Sequence, residues 1–440
     1  MQRYYFLVMD EQVILKVLRE QQLEVSRYEY SNWCTRFEES LFLLDSNLAQ
    51  VVTGVRRSGK STLCHKVLLQ NNILYGYANM DDDRLCGLQT EDLDVLLGCI
   101  YQLYGTNIKY LFFDEIQNVN GWHLFANRLL RQGMRLFITG SNAKLLSGEL
   151  ATHLTGRYNE IKLYPFSFAE YCQYHNVDTS DITTQAESAR KTALSTYLLE
   201  GGFPEIAYIP NPNTRRMYVE SLIETIIVKD ISKRFNIRNT EAIRRIANHL
   251  INNSCQTIST ETLAEIAGLK SIKTVQQYVF YLSQAFLIHR LQKFSFKSAE
   301  RIRSEKCYVI DTGFISNRDN NLLGENSGWR LENVVYVELL RRHQSQAEDI
   351  YYYKQDSRSK EVDFIICRQN IVNELIQVAY NIDDKRTFKR EIDALISAAK
   401  KLNCNNLTLL SLSKNEDVMI EGISVKIRAI TDWLLMTMPK

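Results

Sequence analysis

The sequence predicts an α/β protein: a parallel sheet with crossover helices, then a mostly helical stretch, then a second α/β part. Three observations predict it. Short apolar runs at Ala49–Thr53, Ile73–Asn79, Tyr110–Asp114 and Arg135–Thr139 are separated by helical patterns, as in a parallel sheet. The first run leads into a glycine-rich turn and then a helical stretch, Lys60–Gln70. Apolar runs return at Cys307–Asp311, Ile350–Lys354, Val362–Cys367 and Glu374–Ala379, among helical stretches at Glu332–Arg342 and Arg386–Lys401.

A chain of 440 residues is too long for one compact core and fits two or three domains. The expected division is 1–46, a helical lead-in; 47–165, the first sheet; 166–240, helical; 241–300, a further helical unit; and 301–440, the second α/β part. The turn-rich segments 208–214 and 316–328 are expected loops. With 45% hydrophobic and 24% charged residues the composition is that of an ordinary folded protein. A net charge of +2 excludes a molecule that is basic overall, so any surface for nucleic acid must be local. The 9 cysteines are scattered without a CxxC pair, which argues for reduced thiols and against a zinc site. The first residues lack the pattern of a signal peptide, and no apolar run is long enough to span a bilayer. The cytoplasm is therefore the expected compartment, with no membrane partner.

Gly54-Val55-Arg56-Arg57-Ser58-Gly59-Lys60-Ser61 satisfies GxxxxGK[ST] at every fixed position, after a strand and before a helix. Glycines let such a loop turn its N–H groups toward phosphate oxygens, and the helix start adds positive potential. Lys60 is expected on the β- and γ-phosphates, Ser61 on Mg2+, and Thr62 near the α-phosphate. Strand Tyr110–Asp114 ends in Asp114 and Glu115 at the carboxyl edge of the sheet, where open α/β sheets bind ligands. Asp114 is the expected magnesium residue and Glu115 the general base, the role of such a residue in AAA+ ATPases. The next strand runs into Gly140-Ser141-Asn142, where Ser141 or Asn142 could sense the γ-phosphate or cap a helix. Arg157 follows, either as a surface charge or as an arginine acting in trans on a neighbour's nucleotide.

The motifs TGVRRSGKST, LFFDEIQ, ITGSNAKLLSGELATHLTGRY, LYPFSFAEY and YLLEGGFPEI occur in this order. From about residue 45 to 400 the chain closely resembles the archaeal-type AAA+ ATPases of prokaryotes, of the signalling branch, whose C-terminal half is a domain of unknown function. The resemblance implies a P-loop AAA+ core at 47–165 and a helical lid at 166–240. In the lid, Gly202-Phe203-Pro204 matches a base-contacting element. Pro204 is then a candidate for packing on adenine, or the element is a helix-breaking loop.

Residues Ile243 to Phe296 read as a winged helix-turn-helix: a helix over Ala242–Asn252, a second capped by Ser259 or Thr260, and a third after Gly268. The third carries Val275, Val279, Leu282 and Phe286 as an apolar stripe. Lys270, Lys273, Gln276 and Gln277 would face outward, where such folds read DNA or make protein contacts. Lys229–Arg238 and Arg244/Arg245 add local positive charge. The C-terminal part resembles a restriction-nuclease-like fold, whose active members collect Mg2+ with a helix glutamate, a strand aspartate and E-x-K. Here Glu332 or Glu338 is the candidate helix acid and Asp363 the strand acid. Gln377 and Ala379 stand where glutamate and lysine would be. A neutral amide and a methyl cannot replace them, so the site is expected to be degenerate and not to cut.

The whole reads as an ATP hydrolase using ATP and Mg2+, working as a homo-oligomer, with a hexamer as one form and DNA as a candidate partner. A signalling switch acting on protein partners is the alternative.

Overall fold

The computed structural model describes residues 9–141, 154, 156–297, 301, 304–316, 327–344, 346, 348–354, 360–412 and 414–436. It divides into two compact units, Met1–Leu163 and Tyr164–Lys440.

The first unit is built on a five-stranded parallel sheet: β1 (Ala49–Thr53), β2 (Tyr75–Asn79), β3 (Tyr110–Asp114), β4 (Arg135–Gly140) and β5 (Tyr158–Lys162). Their order is β2-β3-β4-β1-β5, with pairings such as Val51↔Ile138 and Phe112↔Phe137. This is the sheet of a P-loop AAA+ ATPase. Strands β1 to β4 are almost wholly buried, on both faces, which is why they read as largely apolar runs. Helix α1 (Glu11–Val25) packs near edge strand β2, where the Gln21 amide both accepts from Asn79 N at 2.9 Å and donates to Asn79 O at 3.2 Å. The side chain thereby blunts an edge that could otherwise pair with another strand. Helix α2 (Lys60–Gln70) lays Leu63, Val67 and Leu68 on the sheet against Val52, Phe112 and Phe137. Burying each such side chain contributes about 1.5–3 kcal/mol. Helices α3 (Leu93–Tyr104) and α4 (Trp122–Arg131) are the other crossovers.

The second unit begins with helices α5 (Phe168–Tyr174), α6 (Thr184–Glu200) and α7 (Pro212–Thr225). The expected loop 208–214 is only half a loop. Asn211 caps α7, accepting from Asn213 N and Thr214 N, and Pro212 is its first residue, where a missing N–H costs nothing. A π-helical turn, Ile226–Lys233, continues from α7. Then come α8 (Thr240–Asn252), α9 (Thr260–Ala267) and α10 (Ile272–Gln284). Ser259 caps α9 through Thr262 N, Ser271 caps α10, and Gly268 ends α9 in the left-handed region. Val275, Val279, Leu282 and Phe286 are all buried. Strand β6 (Ile288–Gln292) pairs antiparallel with β7 (Glu305–Val309).

The second sheet runs β12-β13-β11-β10-β9-β8, from β8 (Asp349–Lys354), β9 (Glu361–Arg368), β10 (Ile371–Ala379), β11 (Leu407–Ser411), β12 (Glu416–Ile420) and β13 (Ile423–Ala429). It is mixed: β10, β11 and β13 are parallel neighbours, and the flanking pairs are antiparallel. Helix α11 (Ser327–His343) packs Leu331, Val335 and Leu339 with Phe364, Ile366 and Ile376. Helix α12 (Lys385–Leu402) packs Ile392, Leu395 and Ala399 with Val362, Ile365 and Leu375. From Phe364 to Cys367 alternate residues of β9 serve opposite faces, and a register shift against β8 brings Val362 onto the α12 face. A short helix, α13 (Ile430–Leu435), follows β13. All 9 cysteines are free thiols. Among the described residues no helix is long and apolar enough to cross a membrane.

Candidate nucleotide site

The site forms at the carboxyl edge of β1, β3 and β4. Gly54 has φ +150°, and a Cβ there would lie 2.1 Å from the Leu163 carbonyl oxygen, so the loop can leave β1 along this path only with glycine. Gly59 has φ +94° and caps α2; no atom crowds it within 3.9 Å, so conformation rather than space selects glycine. Arg57 is held at φ +70° in the middle of the loop. A β-carbon in that region is strained, a feature that clusters where backbone is shaped for a ligand.

The residues of the loop differ in where they point. Val55, Ser58 and Lys60 are buried, Ser61 and Arg56 are half-buried, and Thr62 and Arg57 are exposed. Lys60 Nζ donates to Val55 O at 3.1 Å and lies 4.0 Å from a Glu115 carboxylate oxygen. Arg56 approaches Asp81, at the end of β2, to 3.6 Å. Ser58 Oγ is buried without a hydrogen-bond partner among the described residues. An unanswered hydroxyl inside a turn that only glycine can make is what a phosphate cradle requires.

Asp114 and Glu115 stand beside this loop. Asp114 is buried. Burial and the neighbouring Glu115 raise its pKa, while Thr139, Ser61 and Lys60 pull the other way. Tyr77 Oη donates to its second oxygen at 3.3 Å. A carboxylate desolvated this far, with the Ser61 hydroxyl bonded to it, is a hard-oxygen donor set of the kind Mg2+ prefers. The residues therefore fit the ion. Glu115 has φ +52°, a left-handed conformation unusual for glutamate, at the turn after β3. One of its oxygens accepts from Ser141 N at 3.3 Å, from Ser141 Oγ at 3.2 Å and from Gln117 Nε2.

Thr139 is the residue that motif reading missed. Its buried hydroxyl donates to Asp114 and accepts from Glu115 N at 3.1 Å, so one side chain of β4 fixes both acids of β3. Its sequence signal is its place at the end of the apolar run before Gly140, two residues upstream of the Ser141-Asn142 pair. Arg36 was missed as well. It immediately precedes the 3-10 helix Phe37–Leu41, is buried, and donates to Ser58 O at 3.3 Å behind the loop. Nothing in its local sequence marks it.

Asn142 lies outside the described residues. Arg157 is exposed at the amino end of β5, next to Ala49 at the start of β1, whose backbone N–H donates to Arg157 O at 3.0 Å. The length of a five-residue strand, about 16 Å, separates it from the loop end of its own sheet. Pro204 belongs to the second unit, as the half-buried first residue of a one-turn helix, Pro204–Ala207, after Gly202, whose N–H donates to Asp311 at 2.7 Å. Lys270, Lys273, Gln276 and Gln277 are all exposed on or before α10. Arg244 and Arg245 are engaged by acids: Arg244 Nε donates to Glu224 at 3.0 Å, and Arg245 to Glu241 at 3.2 Å. Their charge is largely answered within the chain. Of the two candidate helix acids, Glu332 faces Asp363 across a cavity, while Glu338 binds Arg341 and Arg342 elsewhere on α11. Gln377 is in the cavity wall, its amide accepting from Asp363 N and donating to Glu391.

Comparison with known proteins follows the same division. Residues 46–172 match the model of an AAA domain, residues 191–322 a domain of unknown function (DUF8612), and residues 327–428 a second domain of unknown function (DUF4143). An uncharacterised protein of Methanocaldococcus jannaschii is 34% identical over 379 residues, 84% of this chain and 83% of that one. An uncharacterised protein of Haemophilus influenzae is 30% identical over 427 residues, 93% of this chain and 98% of that one. A Walker-type ATPase of Pyrococcus abyssi is a distant structural match, with TM-score 0.41 and 14% identity, covering 70% of this chain and 95% of its own.

Proposed function

The chain belongs to one family with the Methanocaldococcus jannaschii and Haemophilus influenzae proteins, and on that premise we propose that it is an Mg2+-dependent ATP hydrolase that couples turnover to DNA binding or remodelling as a homo-oligomer. The observation that carries the ATPase reading is the convergence of Lys60, Asp114, Glu115, Thr139 and Ser141 at one sheet edge, beside a loop that requires glycine at Gly54 and Gly59.

The division of labour follows from the chemistry of each group. The loop N–H groups and Lys60 bind the phosphates. Ser61 and Asp114 would hold Mg2+, which when bound would neutralise charge on the phosphate oxygens. Glu115 takes the proton of the attacking water; its carboxylate is aimed by Ser141 and its backbone by Thr139. Thr139 is thus a positioning residue for both acids. Arg157 lies at the opposite edge of the sheet, so it can serve a nucleotide only if that nucleotide belongs to a neighbouring subunit. Pro204 is the proposed adenine contact. The unit formed by α8–α10 with β6 and β7 is the proposed winged helix, with α10 toward DNA.

A second reading is favoured by one observation. Arg244 and Arg245 are paired with acids, which takes two of the expected cations out of the surface open to a phosphate backbone. On that ground the rival is a switch in which ATP sets a protein–protein interface and slow hydrolysis resets it.

The test is the ATPase rate with and without single-stranded, duplex and branched DNA at two salt concentrations, with Lys60→Ala as the control. Lys60→Ala should lower ATP affinity at least 100-fold, and unchanged affinity would sink the assignment. Stimulation by one DNA form, weakening with salt, supports the DNA reading. Slow turnover indifferent to DNA supports the switch. For Arg157, mixing Arg157→Ala with Glu115→Gln subunits should restore some activity, because a complete site can form where one subunit's Arg157 meets the other's Glu115. No rescue at any ratio removes the trans role.

A further inference from the structure

The cavity between α11 and the second sheet measures about 490 Å3 and is walled by Glu332, Glu361, Asp363, Gln377 and Glu391, with Trp329 at its mouth. The resemblance to restriction nucleases implies a divalent cation here. The residues do not fit one. Gln377 offers an amide that is already bonded on both sides, to Asp363 N and Glu391, and Ala379 offers a methyl. Among the described residues no group of three or more His, Cys, Asp and Glu side chains is arranged to hold a metal ion.

What stands among the acids is a lysine from a distant strand. Lys306 of β7 is buried. Its ammonium donates to Glu332 at 3.2 Å and contacts Glu361, and it lies 5.5 Å from the Tyr352 ring centroid. Tyr308, two residues on, donates to the same Glu332 oxygen at 2.6 Å. Asp363 is held from behind by Val378 N at 2.9 Å.

We infer that the Lys306 ammonium is a resident counter-ion, occupying among Glu332, Glu361 and Asp363 the place a divalent cation takes in metal-dependent nuclease sites, and that this domain is therefore metal-free and does not cleave nucleic acid. The electrostatics are consistent with this arrangement. Burial works against the charge of Lys306, but Glu332, Asp363 and Glu361 outweigh it and raise the lysine pKa above its ordinary value. A protonated amine has no lone pair, so Lys306 cannot act as a base on water either. An ammonium supplies one charge where a divalent cation supplies two, and it has no coordinated water to activate as a metal ion does. The inference is independent of the ATPase reading, since none of these residues belongs to the P-loop unit.

The test uses the full chain without nucleotide, carrying Asp114→Asn so that the P-loop site takes up no ion. Mn2+ binding is followed by the loss of its free electron-paramagnetic-resonance signal. This chain should bind no Mn2+ through the C-terminal domain. Adding Lys306→Met, which leaves Glu332, Glu361 and Asp363 without their counter-ion, should create one weak site per chain despite Gln377 and Ala379, and Asp363→Asn on top of it should abolish that site. Binding by the Lys306-containing chain that is lost on Asp363→Asn would overturn the inference, as would a folded Lys306→Met chain that gains no site. If Lys306→Met does not fold, the chain with Lys306 intact still decides the question. Mg2+- or Mn2+-dependent DNA cleavage that Asp363→Asn removes would overturn the inference; its absence, together with absent Mn2+ binding, supports it.

Discussion

Two lysines of this chain face carboxylates, and they are held in opposite ways. Lys60, at the edge of the first sheet, is bonded to a carbonyl of its own loop and stops 4.0 Å short of Glu115. Lys306, in the second unit, is in contact with Glu332 and Glu361. In the first arrangement the lysine is anchored to its own loop, which requires glycine at two positions. In the second, the ammonium is in direct contact with two glutamates. On the readings proposed above, the difference separates a site that would receive an anion with its cation from a site in which a side chain takes the cation's place. Acids beside a lysine are not by themselves a catalytic signature; the distance between them carries the information.

The sharpest way to break this comparison is to neutralise one acid on each side. Glu115→Gln should lower kcat for ATP by about 10²–10⁴, the usual contribution of a general base, with ATP affinity changed less than about threefold. Glu332→Gln should leave turnover unchanged and instead cost stability of the second unit, about 3 kcal/mol for a buried charge that loses a partner. Steady-state ATPase rates and urea unfolding decide it. Equal losses of turnover would show that the two sites are not independent.

A contrast in pH response follows from two other buried groups. His65 of α2 is enclosed by Tyr28, Tyr77 and Phe112, with Nδ1 2.8 Å from Tyr75 Oη, and burial pushes its pKa down to about 3. The unfolded chain takes up this proton below about pH 6.5 and the folded one does not. The first unit therefore loses stability as pH falls from about 6.5 toward 3. Asp311 behaves in the reverse sense. Burial pushes it up to about 7, against the Gly202 and Gly313 N–H groups and Arg341. Its folded form holds the proton more tightly than the unfolded chain does. That contribution is complete below about pH 4 and is lost as pH rises through about 7. Each effect is at most about 4–5 kcal/mol. Urea midpoints read for each unit by pulsed hydrogen exchange at one fixed labelling pH should show the two opposite slopes. His65→Asn should flatten the first and Asp311→Asn the second; slopes that survive the substitutions would refute the assignments.

The sequence-to-structure comparison follows the same line between local and assembled sites. The P-loop is contiguous, so Gly54 to Thr62 could be read directly, as could Asp114 and Glu115 at the end of a fully apolar strand. Four of the five strands of the first sheet were legible for the same reason. The fifth, β5 (Tyr158–Lys162), is an edge strand with mostly half-buried residues, and its sequence, YNEIK, has no apolar run to read. The hairpin β12–β13 escaped likewise, because its outer strand is largely exposed. Thr139 and Arg36 act through contacts spanning 25 and 22 residues. Lys306 meets acids that lie 26 and 55 residues further along. No spacing rule reaches across such loops; only the sheet order brings these side chains together.

The smallest expected effect concerns a third lysine, exposed on a helix rather than set among acids. Lys273 lies in the first turn of α10, on the outward face with Gln276 and Gln277. If that helix meets a DNA backbone, Lys273→Ala should remove one phosphate contact. The slope of log affinity against log salt should then fall by about 0.9. Folding stability should change by less than about 0.5 kcal/mol, the usual range for a surface substitution. Fluorescence-anisotropy titrations at several salt concentrations would measure this. An unchanged slope, in a chain whose binding is otherwise steeply salt-dependent, would move the DNA surface away from α10. Negligible binding at every salt concentration would leave α10 as a surface for protein, and the chain as the ATP-controlled switch.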